Sequence, residues 1–167
     1  MIFLNPRVLR NNHFILPDQS GQFDAEACEL FQNLLQRIKN VAIVLIIPYY
    51  EGRDSASSLP QLKEAYQNLG FGDKIIGKID DMRPLIGTRR LVHDWLFANQ
   101  IFSVQSFVIL DHKIHSLYWI RSIYIKNMFK AKHAEKIQEV LSRPFCPDER
   151  SQASFALMHK ELKNLGY

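Results

Sequence analysis

The sequence predicts an α/β fold: a three-layer Rossmann-like domain with a central parallel sheet and helices on both faces. Three observations carry this. Val41–Pro48, VAIVLIIP, is eight residues long with no charge and no hydrogen-bonding side chain. It is rich in β-branched residues and does not alternate, as a strand buried on both faces reads. It is far shorter than the about 20 apolar residues of a membrane helix. Apolar runs then alternate along the chain with amphipathic stretches, in the order strand, helix, strand, helix, strand, helix, strand, before a mixed end. Such alternation implies parallel strands joined by right-handed crossovers. Finally, a chain of 167 residues with 47% apolar content holds one domain with a real core, which excludes a disordered protein.

The elements follow in order. Met1–Leu4 is short and apolar, and Asn5-Pro6 stops it as a first strand. Residues 10–23 are polar, with Pro17 and Gly21, and read as a loop. Asp24 is an N-cap, after which Ala27, Leu30, Phe31, Leu34, Leu35 and Ile38 make one stripe at helical spacing, closed by Asn40. The strand over 41–48 comes next. Ser58 caps a helix running to Leu69, with Pro60 tolerated in its first turn and Gly70 as its stop. KIIGKI, 74–79, is a third strand, and Asp80–Gly87 a loop. Thr88 caps a helix with Leu91, Val92, Trp95 and Leu96 inward. SFVIL, 106–110, is a fourth strand with Asp111 just past it. LYWI and SIYI, within 117–125, are two candidate strand pieces. Residues 132–141 are helical, and Pro144 and Pro147 separate them from a last helix, capped by Asp148 and running to about Leu165. Leu30, Phe31, Leu34, Leu35, Ile38, Val44, Ile46, Trp95, Val108 and Leu110 are expected in the core.

Charge and cysteines narrow the function classes. The net charge is +4, which permits an anionic partner without requiring one. Lys and Arg are spread along the chain, with modest clusters at Arg89–Arg90 and Lys126–Lys136 that read as solvated surface. Cys28 falls on the apolar side of a helix and Cys146 in a Pro-flanked loop. Two cysteines at this spacing make neither a disulfide framework nor a metal site, which fits a reducing, cytoplasmic setting. MIFLNPRVLR lacks the apolar core and cleavage site of a signal peptide. No membrane association is expected.

In open α/β sheets, ligands sit beyond the carboxyl ends of the strands. If the strands at 1–4, 41–48 and 106–110 are neighbours, three polar sites converge there: Asn5-Pro6-Arg7, Pro48-Tyr49-Tyr50 and Asp111-His112. Arg89 and Arg90 open the helix that feeds the fourth strand, where an anion would be attracted. Each has a plainer reading. Asp111 is either a ligand or a turn residue, and Arg89–Arg90 either an anion clamp or surface. No carboxylate is spaced to orient His112 or His115, so both read as surface histidines. Asp80-Asp81 reads as a solvated turn. Tyr118, Trp119 and Tyr124 read as a half-buried strand rather than a base-stacking platform. There is no Gly-rich phosphate loop and no Gly-x-Ser-x-Gly elbow.

The arrangement resembles the haloacid dehalogenase (HAD) superfamily, and within it the small HAD domains of Swiss-Army-knife RNA repair proteins. That family opens with a strand ending Asp-x-Asp-Gly-x-Leu, where this chain has IFLNPRVL at 2–9. FDAEACELFQNLL at 23–35 is similar to its first helix. IVLIIPYY at 43–50 takes the place of a strand ending Ser-Ser-x-Trp-Arg. LKEAYQNLG at 62–70, IIGKI at 75–79, RRLVHDWL at 89–96, FVILDH at 107–112 and MFKAKHAEKIQEVL at 128–141 continue the likeness in order. It covers residues 1–142, with 143–167 as a C-terminal helix packed on the same domain.

The resemblance implies a nucleophilic Asp at position 5, an acid at position 7, a hydroxyl near position 46 and Mg²⁺ at the strand ends. This chain has Asn5, Arg7 and Ile46 there, and His112 in place of the second Asp of the terminal pair. An amide cannot attack phosphorus as a carboxylate does, a guanidinium keeps its proton, and Ile46 offers no hydrogen bond. Asp111 alone is thin support for Mg²⁺. The expectation is a degenerate HAD-like protein without phosphatase activity, acting as a binding or interaction module. Its candidate binding residues are Arg89, Arg90, Asp111, His112 and Tyr49, with Asp111 the single metal candidate. A protein partner or self-association is expected, with a phosphorylated ligand or RNA as further partners. The alternative is a phosphohydrolase or nucleic-acid-processing enzyme with a site relocated around Asp111.

Overall fold

The computed structural model describes residues 1–10, 23–48, 58–81, 88–99, 106–112 and 121–143. The chain forms β1 (Ile2–Leu4), α1 (Ala25–Arg37), β2 (Ile43–Pro48), α2 (Leu59–Gln67), β3 (Ile75–Asp81), α3 (Thr88–Ala98), β4 (Val108–Asp111), β5 (Ser122–Tyr124) and α4 (Ala131–Ser142). The five strands make one parallel sheet in the order β3-β2-β1-β4-β5. This is the predicted α/β, Rossmann-like architecture.

The order explains the layers. From β1 the chain steps outward to β2 and β3, then returns across β1 to β4. Right-handed crossovers in opposite directions put their helices on opposite faces. Accordingly, Ala27, Phe31, Leu34 and Leu35 of α1, Leu62 and Tyr66 of α2, and Ile137 and Val140 of α4 pack with Ile2, Leu4, Ile43, Leu45, Val108 and Leu110. On the other face, Val92 and Trp95 of α3 pack with Phe3, Val44, Ile46, Ile79, Phe107 and Ile109. Alternate residues of each strand thus serve alternate faces, and both faces are apolar, which is why β2 carries no polar residue.

Local chemistry sets the helix limits. Asp24 Oδ1 accepts from Ala27 N at 2.8 Å and starts α1. Gln61 Oε1 accepts from Ser58 N at 2.8 Å and starts α2. Gly70, at φ +71°, takes the left-handed conformation that terminates it. Gly77 is needed for packing: a Cβ there would lie 2.6 Å from Trp95 Cζ2, so only glycine lets α3 approach β3 this closely. α4 is held at both ends. Ser106 Oγ lies 3.3 Å from Val140 O and 2.9 Å from Arg143 O, and Arg121 Nη1 donates to that hydroxyl at 2.8 Å. At its start, His133 Nδ1 accepts from Lys130 N at 2.9 Å.

Several boundaries differ from expectation. β3 runs through Asp80 and Asp81, because pairing with β2 through Pro48 outlasts the apolar run. β4 includes Asp111, Thr88 lies within α3, and a 3-10 turn at Pro6–Leu9 follows β1. Of the expected core, Leu30, Ile38 and Trp95 are only half-buried, and the other seven are buried. SIY at 122–124 is β5. The loop expected over 10–23 has its ends, Arg10 and Phe23, joined by an antiparallel bridge, while its residues 11–22, LYWI and the helix expected from Asp148 lie outside the described residues.

Leu34 sits between α1 and the sheet with 2% of its surface exposed. Leu34→Ala is expected to cost about 2–5 kcal/mol in chemical denaturation, through lost transfer energy and a residual cavity.

The start of α4 carries a pH dependence. His133 titrates below its ordinary value of 6.5, held down by burial first and then by Lys132 and Lys130. The fold therefore favours the neutral ring, whose Nδ1 caps Lys130 N. Its stabilising contribution is present above the unfolded value and is lost as pH falls through the lowered folded value. Denaturation of wild type and His133→Gln between about pH 8 and 5 should show a larger acid loss in wild type, since glutamine accepts the same bond at every pH.

Candidate functional site at the switch point of the sheet

The direction of strand order reverses between β1 and β4, and in open α/β sheets the crevice beyond such a reversal is where ligands bind. Here that crevice is filled by four residues from two strand ends. Pro6 has no N–H to continue the ladder, so β1 ends and the chain turns into the 3-10 segment. Asn5 is the last residue held by β4, its N donating to Leu110 O at 2.9 Å. Continuing the register of Leu4 with Leu45 and Leu110 places Asn5 level with Ile46 and Asp111. All three sit on the α3 side of the sheet.

Asn5 and Asp111 are 1% and 0% exposed. Asn5 Oδ1 accepts from Arg7 N at 3.2 Å, an Asx-type turn that fixes which end of the amide faces inward. Asn5 Nδ2 therefore donates to Asp111 Oδ1, at 2.9 Å. The same oxygen accepts from His112 N at 2.7 Å and lies 3.3 Å from His112 Nδ1. His112 Nε2 lies 3.1 Å from Arg7 Nη1. Asn5, Asp111, His112 and Arg7 thus close a ring of polar contacts.

Both ring nitrogens of His112 face groups that only donate: Nε2 faces Arg7 Nη1, and Nδ1 faces Asn5 Nδ2 at 3.0 Å. A neutral imidazole accepts at one nitrogen only, so the two contacts are alternatives set by the tautomer. Asn5 Nδ2 and His112 N, both donating to Asp111 Oδ1, offset the cost of burying the carboxylate.

This arrangement restricts the chemistry available. Asn5 turns N–H groups, not an oxygen, toward Asp111. Mg²⁺ takes hard oxygen ligands, several of them usually charged. Here a single carboxylate stands among donors with a guanidinium beside it, and this donor set does not fit a divalent cation. Among the described residues no group of three or more His, Cys, Asp or Glu is placed to hold a metal.

The other candidates fall apart spatially. Ile46 is core, packed with Val44, Ile79 and Val92. Asp80 is on β3, paired with Lys78 at 2.9 Å, three strand spacings or about 14 Å from β4. Arg89 and Arg90 open α3 as expected, with side-chain positions outside the described part. Tyr49, Tyr118, Trp119 and His115 also lie outside the described residues.

His112 corrects the sequence reading. It is not a surface residue: its side chain is 15% exposed, and the carboxylate that orients it is its own neighbour. Adjacent residues on a strand point to opposite faces, but the strand ends at Asp111, and the turn brings the ring back over the carboxylate. Arg10 also escaped notice. It is 1% exposed with its guanidinium 4.4 Å above the Phe23 ring, a cation–π contact that joins the turn after β1 to the start of α1.

No protein-family model, curated protein or solved structure matches the chain.

Removing the hub of the ring should be costly. Asp111→Ala strips the acceptor from Asn5 Nδ2 and His112 N, and each orphaned buried donor costs about 1–3 kcal/mol. A total loss of about 2–5 kcal/mol is expected in urea denaturation, with Asp111→Asn losing less because one acceptor oxygen remains.

Proposed function

We propose that this chain is a HAD-like α/β domain without phosphoryl-transfer chemistry, and that it works by binding. The observation that supports this is the closed ring of Asn5, Asp111, His112 and Arg7 at the switch point. Where the family resemblance calls for a carboxylate nucleophile, position 5 supplies an amide whose two ends are both committed to the fold. Where it calls for a protonated acid, position 7 supplies a guanidinium directed at His112. Ile46, where a hydroxyl would steady phosphoryl oxygens, is part of the apolar core. Two of the three replacements are accommodated within the ring: Arg7 by His112, and Asn5 by Asp111. The site is therefore a structural lock at the sheet end, and function passes to the surface, toward a partner molecule or a second copy of the chain.

Phosphate release from p-nitrophenyl phosphate with Mg²⁺ tests this reading. Wild type is expected to show no turnover, and Asn5→Asp none either, because Arg7 and Ile46 are unchanged and groups that act as a unit are strongly non-additive. Asn5→Asp also faces Asp111 with a like charge, so its melting temperature should fall. Turnover by wild type at an ordinary enzymatic rate of about 1–10³ s⁻¹, abolished in Asp111→Asn, would overturn the reading in favour of a relocated hydrolase site.

A further inference from the structure

From the end of β5 the chain crosses the carboxyl edge of the sheet and enters α4. Ile125 N donates to Asp111 O, and Phe129 N to Val8 O, both at 2.8 Å. These bonds lash the crossing segment to β4 and to the 3-10 turn that carries Arg7. Lys126, Lys130 and Lys132 stand on this segment and on the first turn of α4, all exposed. Among the described residues none of the three is paired with a carboxylate. Further along α4, Lys136 and Arg143 are paired with Glu139, at 2.7 and 2.6 Å, so the charge there is locally compensated. Among the described residues, the unpaired lysines of α4 thus lie toward its start, where the backbone dipole adds to their charge. Burial first, and then Lys132 and Lys130, hold the titration of His133 below its ordinary value.

We propose that this β5–α4 surface docks the phosphodiester backbone of a nucleic acid, with Lys126, Lys130 and Lys132 as phosphate contacts. Among the described residues the patch has charge and no exposed large apolar side chain. A helix that seats on a membrane inserts an apolar face, whereas the apolar residues of α4, Ile137 and Val140, are buried in the core. The one exposed large apolar side chain among the described residues is Ile76, 45% exposed on β3 at the opposite edge of the sheet. Protein interfaces are depleted in lysine and built on aromatic or apolar cores, and this patch has neither feature. Neutralising phosphates with lysines needs no apolar contact. The inference deepens the binding reading by naming its partner class, and the two fail separately, one by phosphate release and the other by nucleic-acid binding.

Fluorescence anisotropy of a labelled single-stranded RNA of uniform sequence, about 20 nucleotides long, tests it on the full chain. Wild type should bind with an affinity that falls steeply between about 50 and 200 mM salt. Lys126→Gln, Lys130→Gln and Lys132→Gln combined should weaken binding about tenfold or more and lower the salt slope by about 2, since each single-strand contact contributes ~0.7. The corresponding triple change to arginine should keep binding, which separates charge from folding. A control with the same charge loss, Lys39→Gln, Lys63→Gln and Lys74→Gln, should bind like wild type. The proposal is overturned if wild type does not bind at the lowest salt, if the patch variant keeps its slope, if the control loses as much, or if anionic phospholipid vesicles bind more tightly than the RNA.

Discussion

The fold depends on a strand of three residues. Ile2–Leu4 is hydrogen-bonded to β2 on one side and β4 on the other, so the two halves of the sheet meet only through it. Its side chains divide between both cores: Ile2 and Leu4 toward α1 and α4, and Phe3 toward α3. Phe3 stands edge-on to both Trp95 and Phe107, with ring centroids 5.8 and 5.9 Å away. A polar residue anywhere in β1 would be buried without a solvent side. Pro6 then forces the chain off the sheet at the switch point that the strand order creates.

The polar ring follows from this constraint. Asn5 is the first residue beyond β1, and its backbone is still bound to β4. Its side chain is therefore carried into a place without water, where each polar group needs a partner. Asp111 provides it from the equivalent rung of β4. The carboxylate in turn needs donors, which Asn5 Nδ2 and His112 N supply, and Arg7 Nη1 closes the ring at His112 Nε2. The same position that makes the end of a central parallel strand suited to a reactive carboxylate makes an amide–carboxylate lock stable there. The lock is stable because each buried polar group in it meets a partner of the opposite kind.

Charge and packing are separated on α4. Its inward stripe joins the core, its last turn is bound by Ser106 and Arg121, and its first turn gathers lysines that contribute nothing to packing. β3, the opposite edge of the sheet, is managed differently. A register shift between Val44 and Ile43 leaves Ile76 bulged outward, and Lys78 and Asp80 pair along the strand. A bulge and charges are the usual means of discouraging another strand from adding to an edge.

What the sequence determined by itself is the fold class, the strand positions and the helix starts at Asp24 and Ser58. These are local: periodicity records which side is buried, and Asp24, Ser58 and Gly70 act within a few residues of their own place. Asn5, Arg7 and Asp111 were legible as the residues to watch, since each breaks an apolar pattern at a strand end. Only the tertiary structure decided what they do. Asn5 and Asp111 are 106 positions apart and meet because β4 returns to β1 across the sheet. His112 gains its carboxylate through a turn that strand alternation does not foresee. Gly77 is required by an indole of α3, and Arg10 is covered by the Phe23 ring at the start of the next described segment. Each of these depends on strand order and on the exact approach of distant elements, and neither leaves a trace in local periodicity.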